Sequence, residues 1–206
     1  MLYHVSPIPG IRRLEPRAST HGKPYVYAVQ NLTAGLLFGA RQDDFDFRID
    51  TGEDGVPTVY ECYPDALRTV YRGRACSVYE VREEGFQQGM TGWSEEWVCE
   101  RAVPVEREAV VEDLLERLLR EEAEGRLILR RYADTPEHRR LVAEHVVDRL
   151  IRFHALDCED ERLHRHDGRL IAALRSAMDG HLLEGGGTRA GHGRDERTPS
   201  LPAAAD

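Results

Sequence analysis

Two short stretches carry side chains that could do chemistry together. The first is Tyr3-His4-Val5-Ser6, followed about twenty residues later by Tyr25-Val26-Tyr27. The second is Thr91-Gly-Trp-Ser-Glu-Glu-Trp-Val-Cys99, where two acids sit at the point a loop turns into an apolar strand. A histidine inside a strand needs a partner for each ring nitrogen. Its simplest role is a core residue bonded to a backbone carbonyl, and tyrosines on a strand are most simply sheet packing. Carboxylates at Glu95 and Glu96 are most simply solvated. At a strand entry such an acid can also aim into a cleft beside the first strand. The loop from Arg17 to Gly22 reads Arg-Ala-Ser-Thr-His-Gly. It is either a plain turn or an arginine-bearing site for a pyrophosphate.

The elements that must position these residues fall into three zones. Residues 1–105 hold short β-type runs broken by Gly, Pro and Asp. Strands are expected at Leu2–Ser6, Pro24–Val29, Ala75–Arg82 and Trp97–Val103, with a hairpin of Phe45–Asp50 and Pro57–Tyr63 around Thr51-Gly-Glu-Asp-Gly. Asn31 can cap a short helix reaching Ala40. Residues 106–183 read as helical. Val110, Val111, Leu114, Leu115, Leu118 and Leu119 share one helical face, and Gly125 ends that helix. Leu127–Leu129 suggests a short strand. Thr135-Pro136 opens a second helix that runs to Phe153 and buries Leu141, Val142, His145, Val146, Leu150 and Phe153. A last helix is expected around Leu170–Leu182. Residues 184–206 are rich in Gly and charge, and their composition predicts a disordered tail. The expected class is α+β: a small sheet domain with a helical C-terminal extension.

Composition excludes several functions. The chain has 206 residues and a net charge of −9, and none of the three zones is net basic. Its field therefore repels polyanions, which makes nucleic acid an unlikely partner. Lys23 is the only lysine against 27 arginines, so a single arginine is weak evidence for a functional one. No apolar run reaches the ~20 residues of a membrane span, and the start has no signal-peptide pattern. The four cysteines, Cys62, Cys76, Cys99 and Cys158, form no CxxC pair. These features predict a cytoplasmic protein without a membrane partner. Cys158 with His164 and His166 lacks a zinc spacing. Asp43-Asp44-x-Asp46 lacks the glycine and glutamate of a calcium loop. No metal is expected, and no P-loop, nucleotide glycine fingerprint or nucleophile elbow occurs.

The order His on strand one, Tyr on strand two and Glu at the start of a late strand resembles the ADP-ribosyltransferase fold of the His-Tyr-Glu class. That class includes poly(ADP-ribose) polymerases, diphtheria toxin and rifampicin ADP-ribosyltransferases. Leu2-Tyr3-His4-Val5-Ser6 resembles its His-Gly-Ser/Thr strand, Tyr25-Val26-Tyr27-Ala28 its Tyr-bearing strand, and Glu96-Trp97-Val98-Cys99 its Glu-bearing strand. The resemblance covers residues 1–105. It implies a small split β-sheet that takes NAD as substrate, with His4, Ser6, Tyr27 and Arg17 on NAD and Glu96 catalytic. His4 and Tyr27 are then expected to face one cleft. The implied reaction is mono-ADP-ribosyl transfer to a protein or small-molecule acceptor. Val5 departs from the family's glycine, which keeps an inert ligand-binding or interaction module as the alternative. The Arg-Ala-Ser segment also resembles one in the tRNA 2′-phosphotransferases, which share this fold. The stretch from Leu14 to Tyr27 is similar to the opening of a group of bacterial proteins with no assigned activity.

Overall fold

Alternation of side chains on a strand decides which residues become core. In β1 (Leu2–Ser6) Leu2, Val5 and Ser6 are buried, and in β4 (Pro24–Val29) Tyr25, Val26, Ala28 and Val29 are. The structure, a computed structural model, describes residues 1–18, 23–91 and 93–153. The expected last helix and tail, with Cys158, His164 and His166, lie outside the described residues.

Both helices and strands are present, so the class is α+β. The further strands are β2 (Arg13–Leu14), β3 (Arg17–Ala18), β5 (Phe47–Thr51), β6 (Pro57–Glu61), β7 (Cys76–Val81), β8 (Gln87–Gln88), β9 (Glu96–Cys99), β10 (Val103–Pro104), β11 (Arg107–Val111) and β12 (Ile128–Arg130). The helices are α1 (Leu32–Leu36), α2 (Ala66–Tyr71), α3 (Leu114–Ala123) and α4 (Pro136–Phe153). The main sheet runs β11-β7-β1-β4-β9-β8, with β3 added to β4, and all its pairs are antiparallel. A smaller sheet runs β12-β6-β5, in which β12 lies parallel to β6. The expected hairpin is its β5–β6 pair, closed at Thr51 and Pro57. One core, between the main sheet, the small sheet and the helices, holds Val5, Leu36, Leu37, Val78, Leu114, Leu118 and Val146. A second, on the opposite face of the main sheet, holds Leu2, Val26, Ala28, Val81 and Cys99.

Several boundaries differ from expectation for local reasons. Val110 and Val111 belong to β11, not to the following helix; Val110 is 61% exposed. The helix starts later because the Asp113 side chain caps it, accepting from the Glu116 N–H at 2.9 Å. Residues 107–111 thereby extend the main sheet, and α3 and α4 share its first core, so the fold runs on across residue 105. Asn31 caps α1 as expected, accepting from Thr33 and Ala34. The helix nonetheless stops at Leu36, and Leu37, Phe38 and Gly39 donate three residues back in a tightened last turn. The run 97–103 divides into β9 and β10, and β10 pairs with β2. Helix α2 is a further element. The buried Glu61 carboxylate accepts from the Leu67 N–H in its first turn at 2.8 Å, and from the Tyr132 N–H at 2.9 Å.

A buried charge ties α1 to α3. Glu121 is 1% exposed and accepts from Arg117 at 2.7 Å, Arg126 at 2.5 Å and the Thr33 hydroxyl at 2.8 Å. Burial alone would raise its pKa, but these three hydrogen bonds together hold it at about 2. On α4, His145 is buried with Nε2 against the Asp44 carbonyl at 3.0 Å. Burial, reinforced by the Arg149 and Arg48 charges, lowers its pKa to about 4.

Two predictions follow from these groups. Glu121→Gln keeps the shape but leaves two guanidiniums without their buried charge, and should cost about 3 kcal/mol in urea denaturation. A loss below about 1 kcal/mol would show that α1 is held by packing alone. The second concerns acid. A histidine with a lowered folded pKa contributes full stability above its ordinary 6.5, and this is lost as the pH falls toward 4. Glu121 contributes stability above its ordinary 4.5 that is lost toward pH 2. Thermal melts should therefore decline in two stages, and His145→Gln should make only the upper one shallower, since the buried His4 also contributes there. A variant with an unchanged profile between pH 6.5 and 4 would contradict this assignment.

Candidate functional site

The site arises from a parting of strands. β1 pairs with β7 along its whole length, from Leu2↔Val81 to Ser6↔Ser77, and β4 pairs with β9 from Val26↔Cys99 to Val29↔Glu96. Between β1 and β4 the ladder holds one register pair, Tyr3↔Val29. Beyond it the two strands separate, and the main sheet divides into two halves. Backbone groups along such a gap need other partners. One is supplied by His4, whose Nδ1 lies 2.8 Å from the Tyr27 carbonyl oxygen. A carbonyl only accepts, so Nδ1 carries the proton. Burial lowers the histidine's pKa, with the nearby Arg17 charge acting in the same direction against the Tyr27 carbonyl. The ring is thus neutral near pH 7, with Nε2 as an acceptor.

Two recesses with His4, Val5 and Tyr27 in common follow the gap. The first, of about 320 Å³, is lined by Tyr3, His4, Val5, Tyr27, Ala28, Val29, Gly35, Phe38, Trp93 and Glu96. The second, of about 240 Å³, shares His4, Val5 and Tyr27 and adds Ser6, Arg13, Arg17 and Tyr25 among others. The first is apolar around Tyr27 and Phe38, and the second holds Arg13 and Arg17 together with Glu15, which pairs with Arg13 at 3.3 Å. Their volumes suit a small ligand.

His4 and Tyr27 both line the first recess, but the expectation that they approach it from one side of the sheet is corrected, since they lie on opposite faces. The Tyr3↔Val29 register sets Tyr3, Val5, Tyr27 and Val29 on the face under α1, while His4 alternates to the face of Leu2 and Ser6. They meet only because the strands part and the imidazole fills the opening. Glu96 opens β9 opposite Val29, on the Tyr27 face, and its N–H donates to the Trp93 carbonyl at 3.2 Å. Glu95 lies in the preceding turn and is not among the lining residues. Ser6 is buried, with Oγ accepting from the Ile8 N–H at 3.2 Å. Arg17 on β3 pairs in register with Tyr25 and is exposed. The first recess therefore brings together His4, Tyr27 and Glu96, and the second holds Ser6 and Arg17 beside the same His4 and Tyr27.

Two lining residues were not anticipated from the sequence. Phe38 follows α1 and is 42% exposed at the mouth, and its ring lies 5.5 Å from that of Trp93. Trp93 stands three residues before Glu96, which was its one available signal. Phe38 reads in sequence as part of the apolar side of a longer helix.

Val5 is accommodated by a missing side chain. It is buried, and a Cβ on Gly35 would lie 3.1 Å from its Cγ2 and 3.0 Å from the Val29 Cγ2. Gly35 thus lets α1 lie close over the strands.

The other sequence candidates resolve differently. Asp46 is 1% exposed and accepts from the Tyr63 hydroxyl at 2.7 Å and the Asp43 N–H at 2.8 Å, an internal turn bond. Among the described residues no three His, Cys, Asp or Glu side chains gather as for a metal ion. Cys62 and Cys76 are buried, and burial pushes both thiols up, Cys76 to about 11. No described helix is long and apolar enough to cross a membrane. No family model, curated protein or solved structure matches the chain.

The close approach at Gly35 gives a prediction by double-mutant cycle. Gly35→Ala gains about 1 kcal/mol of helix propensity but crowds Val5 and Val29. In the Val5→Ala background the same change should be more favourable by about 1 kcal/mol, because one of the two crowded methyl groups is gone. Equal effects of Gly35→Ala in both backgrounds, read by chemical denaturation, would show that the contact carries no energy.

Proposed function

We propose that this chain is an NAD-dependent mono-ADP-ribosyltransferase with an ADP-ribosyltransferase-like split sheet, acting on a protein or small-molecule acceptor. The observation that carries this reading is the parted β1–β4 pair, with His4, Tyr27 and Glu96 gathered on the one cleft it opens. An apolar recess that shares His4 and Tyr27 with one holding Arg17 suits a ligand with a flat ring at one end and phosphates further along. Tyr27 offers a face for nicotinamide. The neutral His4, with Nδ1 occupied, offers Nε2 to a ribose hydroxyl. Arg17 suits the pyrophosphate.

The chemistry asks for one carboxylate. As the bond from ribose C1′ to the pyridinium nitrogen breaks, its electron pair leaves with nicotinamide and positive charge grows on the ribose, as in glycoside cleavage. Glu96, accepting from the ribose 2′-hydroxyl, stabilises that charge. The acceptor oxygen or nitrogen then bonds to C1′ and gives up its proton to solvent.

A second reading, a ligand-binding module without catalysis, is favoured by Val5 in the cleft wall where the resembled family has glycine. RNA 2′-phosphate transfer has less support. Among the described residues the arginines and histidine lining the two recesses are His4, Arg13 and Arg17, and the chain is acidic.

Incubation with labelled NAD, following nicotinamide release and label transfer to lysate proteins, separates these readings. Glu96→Gln should retain the fold and NAD binding but lose nicotinamide release by roughly two to three orders of magnitude. Tyr27→Ala should weaken NAD binding in the ground state as well. Glu95→Gln should be nearly silent. Binding without turnover in the wild type would establish the module. Neither binding nor turnover would reject NAD altogether.

A further inference from the structure

Four aromatic residues, Tyr3, Tyr27, Phe38 and Trp93, line the first recess together with one acid, Glu96. The sheet places three of the five as neighbours. Tyr3 on β1 and Glu96 on β9 stand opposite Val29 from its two sides, and Tyr27 lies two residues before Val29 on the same face. Phe38 and Trp93 stand at the mouth with ring centroids 5.5 Å apart. Their planes are inclined at 48°, so they meet as a corner and not as a stack.

The charge on the lining residues has one sign. Among the described residues no arginine or lysine lines the recess, and His4 is neutral with Nε2 as an acceptor. Arg107, whose charge reaches the Tyr3 hydroxyl, is paired with Glu80. The chain as a whole carries a net charge of −9, which favours cations over anions near its surface. Aromatic faces attract a cation through the ring quadrupole, Trp most strongly.

The rest of the wall decides which cation fits. A primary ammonium has three donors, and each needs an acceptor once water is removed. A quaternary ammonium has none, and its methyl groups suit a surface formed by Val5, Val29 and the bare Gly35. At about 320 Å³ the recess is near the lower limit of ligand pockets, so its occupant is compact.

We propose that the first recess is an aromatic cage for a small molecule bearing a quaternary ammonium group. This goes beyond the NAD reading and does not rest on it: a bound cation would occupy the place assigned above to nicotinamide.

Calorimetric titration of the full chain tests it by comparing choline with 3,3-dimethylbutan-1-ol, which has the same shape with carbon in place of the charged nitrogen. Saturable binding of one choline per chain is expected, tighter than the uncharged isostere by about ten-fold or more. Ethanolamine, a primary ammonium, should also bind more weakly than choline. Phe38→Leu and Trp93→Leu keep apolar bulk but remove a ring, and each should weaken choline by about three-fold or more. Glu96→Gln should weaken choline and leave the isostere unchanged. The comparison of choline with its isostere uses the wild type alone, so a variant that fails to fold does not blunt the test. The cage is overturned if choline does not saturate the wild type below about 10 mM. It is also overturned if the isostere or ethanolamine binds as tightly as choline, or if both ring variants bind choline as the wild type does. Turnover of NAD by a chain that fails this titration would reject the cage and leave the NAD reading standing. Choline binding by a chain that ignores NAD would do the reverse.

Discussion

The parting of β1 from β4 is the constraint on which the rest of the site depends. A sheet gains from every ladder bond it makes, so strands that separate after one register pair must satisfy their free edges in another way. Here β1 keeps its full ladder to β7, β4 keeps its ladder to β9, and the gap is bridged by an imidazole. The opening is held from both sides, which keeps a cleft in the middle of a sheet that would otherwise close. The same bridge fixes the tautomer of His4, so the element that keeps the strands apart also sets the donor and acceptor pattern on the cleft wall.

Helix α1 forms the roof of this opening, and its position is set from two directions. Below it, Gly35 permits close approach to Val5 and Val29. Behind it, Thr33 reaches the buried Glu121, whose charge is balanced by Arg117 and Arg126. Replacing one charged partner in such a group is costly, whereas a matched apolar set in its place need not be. The network therefore specifies where α1 sits more than it adds to stability. It also explains why the helices beyond residue 105 belong to the fold of the sheet: α3 carries the acid that places the roof of the cleft.

Much of this was legible in the sequence because local signals are strong where they are unambiguous. Alternating Tyr and Val in 24–29, the Asn31 cap, the turn at Thr51-Gly-Glu-Asp-Gly and the Thr135-Pro136 start all reappear as elements. The failures come from residues with two readings. Val110 and Val111 continue a helical spacing and also suit a strand, and only the Asp113 cap decides between them. The faces of His4 and Tyr27 could not be inferred, since register between strands twenty residues apart is a tertiary property. For the same reason Phe38 and Trp93 carried no sign that they would meet at the mouth of the cleft.

The order of strands has a consequence for how the molecule forms. β1 lies inside the main sheet, yet its fullest partner, β7, is roughly 75 residues further along the chain. During synthesis at about 5–20 residues per second, β1 must wait several seconds with its apolar side chains unpaired before β7 emerges to receive it. Contacts that distant make for slow closure, because the entropy of a long loop is lost before the ladder compensates. The segment most exposed to misassembly on the ribosome is therefore the one that carries His4, and conditions that delay β7 should act first on the cleft.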